Sequence, residues 1–120
     1  MTHQSPAQQK PLQVEAGRQV AQLRGVLLLV QQMAGRKSNA DGEDAMLDEG
    51  ARLSSAYGHA FPIERRRFEA LANQTAAWAA AGVEALLAYQ DAPEPPRVAA
   101  AALAHELERA IGDLRKILRA

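Results

Sequence analysis

Apolar residues recur along this chain at alternating intervals of three and four positions, in four stretches separated by three breaks. This spacing gives each stretch one apolar face when it is helical, because an α-helix has about 3.6 residues per turn. The polar residues 1–10 are predicted to form a flexible N-terminal tail, followed by a single domain at residues 11–120. Within that domain, the pattern predicts helices at about residues 11–34, 44–57, 62–89 and 96–118.

Short connections join the four predicted helices. Helices joined in this way usually pack as antiparallel neighbours, so we expect an all-α, up-down-up-down four-helix bundle. Gly50 and Gly82 lie on the apolar seams, where a close approach of two helices would offset their low helix propensity. The seams predicted to form the core comprise Ala16, Val20, Leu23, Leu27, Val30 and Ala34; Met46, Gly50, Leu53 and Tyr57; Phe68, Leu71, Thr75, Trp78, Gly82, Leu86 and Tyr89; and Leu103, Leu107, Ala110, Ile111, Leu114 and Leu118.

Phe61 and Pro62 mark the boundary between the second and third helices. Proline disfavours helical geometry in the residue before it, although kinked helices also contain proline. The sequence is therefore compatible with either a helix break or a kinked helix at this point, and Gly58 just upstream favours the break. Pro62 would then occupy the first position of the third helix, where its missing N–H is not needed.

Composition supports the same fold class and limits the function. The 120 residues are 48% hydrophobic and only 4% aromatic, which favours closely packed helices over sheets. With 14 basic and 14 acidic residues, the chain has no general attraction to nucleic acid or to an anionic membrane. The absence of cysteine, of a signal peptide and of a long apolar run indicates a cytoplasmic protein that does not bind membranes.

No segment carries the residue spacing that a particular catalytic chemistry requires. Di-iron sites in four-helix bundles need Glu-x-x-His pairs, whereas alanine stands three positions before both His59 and His105. Three scattered histidines and no cysteine also disfavour a zinc site. We therefore expect a non-catalytic protein with no catalytic residue, no cofactor and no metal.

His105 supports an alternative function. Helical spacing places it nearly opposite the apolar stripe of the fourth helix, so we expect it to be exposed. Residues 104–109, Ala-His-Glu-Leu-Glu-Arg, resemble the phosphoacceptor segment of histidine phosphotransfer domains, which are four-helix bundles of similar size. That family has lysine and then glycine where this chain has Glu108 and Arg109. The resemblance implies His105 as an alternative phosphoacceptor.

Charged residues are predicted to separate toward the two ends of the bundle. Arg65, Arg66 and Arg67 are the most informative, because cations at a helix start oppose the helix dipole. We predict an adaptor or regulatory accessory protein that binds another protein through this end of the bundle. A nucleic-acid-binding accessory protein that uses the same surface is the alternative. The surface, hereafter the basic cluster, comprises Arg65, Arg66, Arg67, Arg115, Lys116 and Arg119.

A second apolar stripe on the first helix predicts self-association. A helix in a monomeric bundle needs only one apolar face, so we predict a homodimer in which the first helix packs on its symmetry mate. The alternative explanations are a central position of this helix in a non-square bundle, or scattered apolar residues on the surface that have no function. An apolar ligand pocket beside Trp78 is a further alternative function. The predicted dimer stripe comprises Val14, Ala21, Gly25, Leu28 and Leu29.

Overall fold

Four helices form nearly all of the part of the chain that the computed structural model describes, which is residues 6–35, 42–89, 91–94 and 96–119. Side chains are described from residue 16 onward in the first helix and from residue 48 onward in the second. Within these residues there is no strand, and no helix is long and apolar enough to cross a membrane. The predicted all-α four-helix bundle is confirmed. The helices are α1 Pro6–Met33, α2 Gly42–His59, α3 Pro62–Leu87 and α4 Arg97–Leu118.

The helix boundaries match the predicted ones closely, except at the start of the chain. Helix α1 begins at Pro6 rather than Pro11, so residues 6–10, predicted to belong to a flexible tail, form its first turns. Proline is favourable at the first helical position, and the glutamines that follow are good helix formers. Residues 1–5 lie outside the described part. The break at Phe61 is confirmed, because this residue is extended and Pro62 begins α3.

The buried residues follow the predicted seams. Leu27, Leu53, Phe68 and Leu107 lie in one core to which all four helices contribute. Leu71, Trp78 and Leu103 are partly buried and pack against that core, while the side chain of Met46 lies outside the described part. Tyr89 is a correction, since it is 64% exposed. It lies in the turn that follows Leu87, where the helical spacing used to place it inward no longer applies.

The bundle is not square. Helix α1 packs extensively on α2 and on α4, and α3 packs mainly on α4. Helices α2 and α3 meet near their joined ends, where the Tyr57 and Phe68 rings lie edge to face at 5.9 Å. By contrast, α1 and α3 make few contacts. The two central helices are therefore α1 and α4, and the space between α1 and α3 is left partly open.

Glycines bring neighbouring helices close together at two places. A Cβ atom at Gly17 would lie 2.6 Å from the carbonyl oxygen of Gly50 and would also meet the Ser54 hydroxyl. A Cβ atom at Gly82 would lie 2.8 Å from a methyl group of Leu103. Real Cβ atoms do not approach other atoms this closely, so the close helix packing expected at Gly82 is confirmed. At the contact between α1 and α2, the glycine that the packing requires is Gly17 rather than Gly50, because a Cβ atom at Gly50 would lie 3.8 Å from the carbonyl oxygen of Gly17, an ordinary contact distance.

Contacts between paired helices run in opposite order along the two helices of each pair. On α1 and α2, a later residue of one helix meets an earlier residue of the other, and the same holds for α3 and α4. This is the order that antiparallel neighbours produce. The pairs are Gly17 with Ser54 and Arg24 with Glu49, and Glu64 with Arg119 and Gly82 with Leu103.

Candidate interaction groove

An open groove of about 520 Å³ runs between α1 and α3. Its floor is apolar, and its two long edges carry a few polar side chains. The wall contributed by α3 extends from Ala72 to Leu87, a length of about 22 Å at the rise of an α-helix. The groove is lined by Gln19, Gln22, Leu23, Val26 and Leu29 of α1 and by Ala72, Asn73, Ala76, Ala79, Ala80, Val83, Glu84 and Leu87 of α3.

The small side chains of α3 explain why this groove is open. The α3 wall contains Ala72, Ala76, Ala79 and Ala80, and an alanine side chain ends at Cβ. Such side chains cannot fill the distance between two helices that are not in close contact. The close approach at Gly82 also holds α3 against α4 rather than against α1. The groove therefore follows from local sequence as well as from helix arrangement.

The two ends of the groove differ in chemistry. At one end, Leu29 and Leu87 are 43% and 45% exposed, which leaves two large apolar side chains in solvent. Glu84 lines the same end. The amides of Gln19 and Asn73 lie at the opposite end, beside alanine. Because Glu84 is the one ionisable group among the lining residues, the groove offers apolar contact and hydrogen bonds rather than a pair of acid and base groups.

A buried ion-pair cluster joins α1, α2 and α4 outside the groove. The Glu49 carboxylate accepts hydrogen bonds from Arg24 at 3.2 Å and from Arg115 at 2.8 Å. The side chain of Glu49 is only 10% exposed, whereas that of Arg115 is 45% exposed. Burial alone would raise the pKa of the Glu49 carboxyl, but the hydrogen bonds and charges of the two arginines outweigh burial and lower this pKa. The cluster therefore stabilises an ionised carboxylate between three helices.

A small cavity of about 90 Å³ lies beside this ion-pair cluster. It is lined by Glu49, Arg52, Leu53 and Arg115. This cavity is polar, in contrast to the apolar groove, since three of its four lining residues are charged. The Glu49 carboxylate already binds Arg115, which indicates a structural role for these two residues.

A second polar cluster joins α2 to the start of α3. Tyr57 donates a hydrogen bond to Glu69, and the guanidinium of Arg65 lies 5.5 Å from the centre of the Tyr57 ring. Arg65 also donates hydrogen bonds of 3.0 Å to the carbonyl oxygens of Tyr57 and Gly58. Burial and the Glu69 carboxylate raise the pKa of Tyr57 to about 12, although Arg65 opposes this shift. The cluster fixes the turn from α2 into α3.

The basic cluster predicted from sequence is only partly available for binding. Arg65 donates hydrogen bonds to carbonyl oxygens at the end of α2, and Arg115 binds Glu49. Arg119 lies 3.8 Å from Glu64. These contacts explain why cations are compatible with the helix ends where they occur. The remaining three members are exposed and have no ion-pair partner among the described side chains: Arg66, Arg67 and Lys116.

The predicted dimer stripe of α1 does not form one exposed surface. Gly25 and Leu29 face outward, and a Cβ atom at Gly25 would meet nothing within 4 Å. Ala21 and Leu28 are half-buried and share a helix face with Arg24, which reaches Glu49 of α2. The side chain of Val14 lies outside the described part. Helix α1 lies centrally in the non-square bundle, and Leu29 belongs to the groove.

The remaining candidate residues lie apart from the groove. His105 is exposed on α4, as its position opposite the apolar stripe predicts. Trp78 packs against the core and is not among the residues that line the groove. Among the side chains that the structure describes, no three His, Asp or Glu residues are grouped to hold a metal ion. Comparison with family models, with curated proteins and with solved structures finds no match to this chain.

Proposed function

We propose that this protein is a non-catalytic interaction protein whose α1–α3 groove binds an amphipathic helix of a partner protein. The observation that carries the proposal is the groove itself, with its alanine-rich α3 wall and its exposed leucines at one end. A helix that binds in such a groove inserts large apolar side chains at intervals of three and four residues. The alanines leave room for those side chains, and the length of the groove matches about four helical turns.

The pattern of exposure also supports a protein partner. Soluble monomers rarely expose contiguous apolar surface edged by polar residues unless that surface binds something. Here Leu29 and Leu87 adjoin the groove, and the amides of Gln22 and Asn73 on its edges can hydrogen-bond to a docked helix. This is the arrangement of an apolar interface centre with a polar rim. We place this interaction in the cytoplasm, because the chain contains no cysteine.

A protein partner is better supported than a nucleic acid. Binding to nucleic acid depends on many cations that contact phosphates. Three of the six residues of the basic cluster instead make contacts within the chain, and the α1–α3 groove is lined mainly by apolar side chains. Exposure of His105 keeps phosphotransfer as a second candidate function. Acid-labile phosphorylation that disappears in His105→Ala would support that second function.

Matched substitutions on α3 test the proposed function. Ala80 lines the groove, whereas Ala85 is exposed on the same helix outside it. In cells that express tagged protein, the wild type should elute from size-exclusion chromatography in a complex larger than the monomer. Ala80→Arg should shift the protein to monomer size, and Ala85→Arg should elute as the wild type does. Equal behaviour of the two variants, or a wild type of monomer size, would contradict the proposal.

A further inference from the structure

The turn from α2 into α3 exposes two large apolar side chains. Phe61 is 68% exposed and Ile63 is 54% exposed. Only Pro62 separates them, so both lie at the end of the bundle where α2 is joined to α3. Neither residue lines the α1–α3 groove. This surface is therefore distinct from the groove and is available to a ligand of a different class.

Two arginines adjoin Ile63 on the outer face of α3. Arg66 and Arg67 follow it by three and four residues, which is the spacing of neighbours on a helix surface. Both arginines are exposed and have no ion-pair partner among the described side chains. Exposed Ala70 and Gln74 continue this face, so no acid interrupts it over about three turns. The apolar–basic patch, as we call it, comprises Phe61, Ile63, Arg66 and Arg67.

The surroundings of the apolar–basic patch carry an excess of positive charge. The basic cluster supplies six cations, and Arg119 connects the end of α4 to Glu64 at the start of α3. Glu69 keeps its charge but lies on another side of α3, where Tyr57 binds it. The α1 side chains before residue 16, which lie outside the described part, include one basic and one acidic residue and leave the balance unchanged. The four carboxylates beside the six cations are Glu49, Glu64, Glu69 and Asp113.

Three features of the patch work against the stability of the fold. The position of Phe61 before α3 favours a side chain that caps the helix, and Phe61 makes no capping hydrogen bond. Arg66 and Arg67 oppose the dipole of α3 and lack the carbonyl contacts that hold Arg65. Phe61 and Ile63 also leave apolar surface in water. Departures from several local rules in one segment are typical of binding sites.

We infer that the apolar–basic patch docks on the surface of an anionic phospholipid membrane. Exposed apolar side chains enter the boundary between headgroups and acyl chains, and neighbouring cations are attracted to anionic headgroups. Arginine suits this position, because its aliphatic stem lies along apolar surface while its guanidinium stays among the headgroups. The cytoplasmic leaflet carries the anionic lipids of a cell, which agrees with a cytoplasmic protein.

The size of the patch favours a bilayer over a protein partner. A stable protein interface buries about 800 Å² on each side, and its apolar side chains need matching pockets. Two apolar side chains at a turn are few for such an interface, whereas a fluid bilayer accommodates single side chains without a preformed pocket. The balance of 14 basic and 14 acidic residues predicted no membrane binding, but this balance does not hold at this end of the bundle. Docking is peripheral, since no described helix could cross a membrane.

Co-sedimentation of the purified protein with lipid vesicles tests the inference. The wild type should bind vesicles of phosphatidylcholine with about one-third phosphatidylserine, bind phosphatidylcholine alone far less, and lose affinity as salt is added. Phe61→Ser combined with Ile63→Ser should lower the partition coefficient on the order of tenfold or more. Arg66→Gln combined with Arg67→Gln should lower it by a similar factor on the anionic vesicles.

Matched double variants outside the patch provide the controls. Tyr89→Ser combined with Val98→Ser removes two apolar side chains that are 64% and 86% exposed near the opposite end of the bundle. Arg97→Gln combined with Arg109→Gln removes two exposed cations of α4. Both controls should bind anionic vesicles as the wild type does. A loss as large as in the patch variants would show unspecific attraction and overturn the inference.

Tryptophan quenching shows whether the patch itself enters the bilayer. Brominated phospholipid should quench Phe61→Trp beyond the wild type, whose single tryptophan packs against the core, and should leave Val98→Trp at the wild-type level. A wild type that stays in the supernatant, or equal binding to anionic and neutral vesicles, would overturn the inference. If the wild type binds no vesicles while Arg66→Gln with Arg67→Gln disrupts the cellular complex, the patch binds an acidic protein and the lipid assignment is wrong.

Discussion

The charge of Glu49 should contribute measurably to the stability of the bundle. Glu49→Gln keeps the size of the side chain but leaves Arg24 and Arg115 against a neutral amide. A hydrogen bond to a charged group contributes about 1.5–3 kcal/mol, and one between neutral groups contributes about 0.5–1.5 kcal/mol. The exposure of Arg115 weakens its share, because solvent screens the pair. We therefore expect Glu49→Gln to lower the free energy of unfolding by about 2 kcal/mol at neutral pH.

The pH dependence of this loss provides an independent check. Two arginines hold the pKa of Glu49 in the folded protein below its ordinary value of 4.5. Because the folded pKa is the lower one, the stabilisation is fully present above the unfolded pKa and is lost as the pH falls through the folded pKa. The difference between the wild type and Glu49→Gln should thus be constant above about pH 5 and shrink in more acidic solution.

Urea unfolding followed by circular dichroism measures both effects. Glu108→Gln is the matched control, because Glu108 is exposed and has no ion-pair partner among the described side chains. Its effect should stay within about 0.5 kcal/mol. An equal loss in the two variants at neutral pH would refute the buried ion pair. A loss in Glu49→Gln that persisted undiminished in acid would show that shape rather than charge explains the effect.

Three further predictions concern single contacts. Thr75→Val should raise the free energy of unfolding by about 1 kcal/mol, because the buried hydroxyl has no hydrogen-bond partner among the described residues. If urea unfolding instead gives a lower free energy for the variant, the hydroxyl makes a hydrogen bond in the wild type. Gly17→Ala should destabilise the protein by about 1–2 kcal/mol, whereas Gly112→Ala, where a Cβ atom meets open space, should stabilise it by about 1 kcal/mol. Changes in melting temperature of the same sign for both variants would contradict the close helix packing at Gly17. Glu69→Gln should lower the pKa of Tyr57 from about 12 in a titration of phenolate absorbance, with the other tyrosine replaced by phenylalanine; an unchanged midpoint would exclude the carboxylate as a cause.

The helices and much of the core could be predicted from the sequence because they depend on local periodicity. Burial repeats with each turn, so Leu27 and Leu107 could be assigned to the core without knowing what faces them. Phe61 and Pro62 likewise fix a helix break through their own backbone geometry. The same reasoning failed at Tyr89, where the helix ends before the residue that its spacing would bury.

The groove could not be predicted, because it depends on which helices become neighbours. The sequence indicates only that Ala76 and Ala80 are good helix formers. They form part of the groove wall because α3 packs on α4 rather than on α1. A signal was nevertheless present, since α3 carries alanine on faces other than its core seam. The partners of Glu49 were also hidden, because they lie 25 and 66 residues away in sequence. Local rules assign such an acid to the positive end of its helix.

Site-specific photo-crosslinking in living cells tests most directly whether the groove binds a protein. A photoreactive amino acid at Asn73, on the edge of the groove, is compared with the same residue at Gln74, an exposed neighbour directed away from it. We predict a discrete protein adduct from position 73 and little from position 74, with twice the mass of the chain if the partner is a second copy. No adduct, or equal yields from both positions, would contradict the groove as the interaction site.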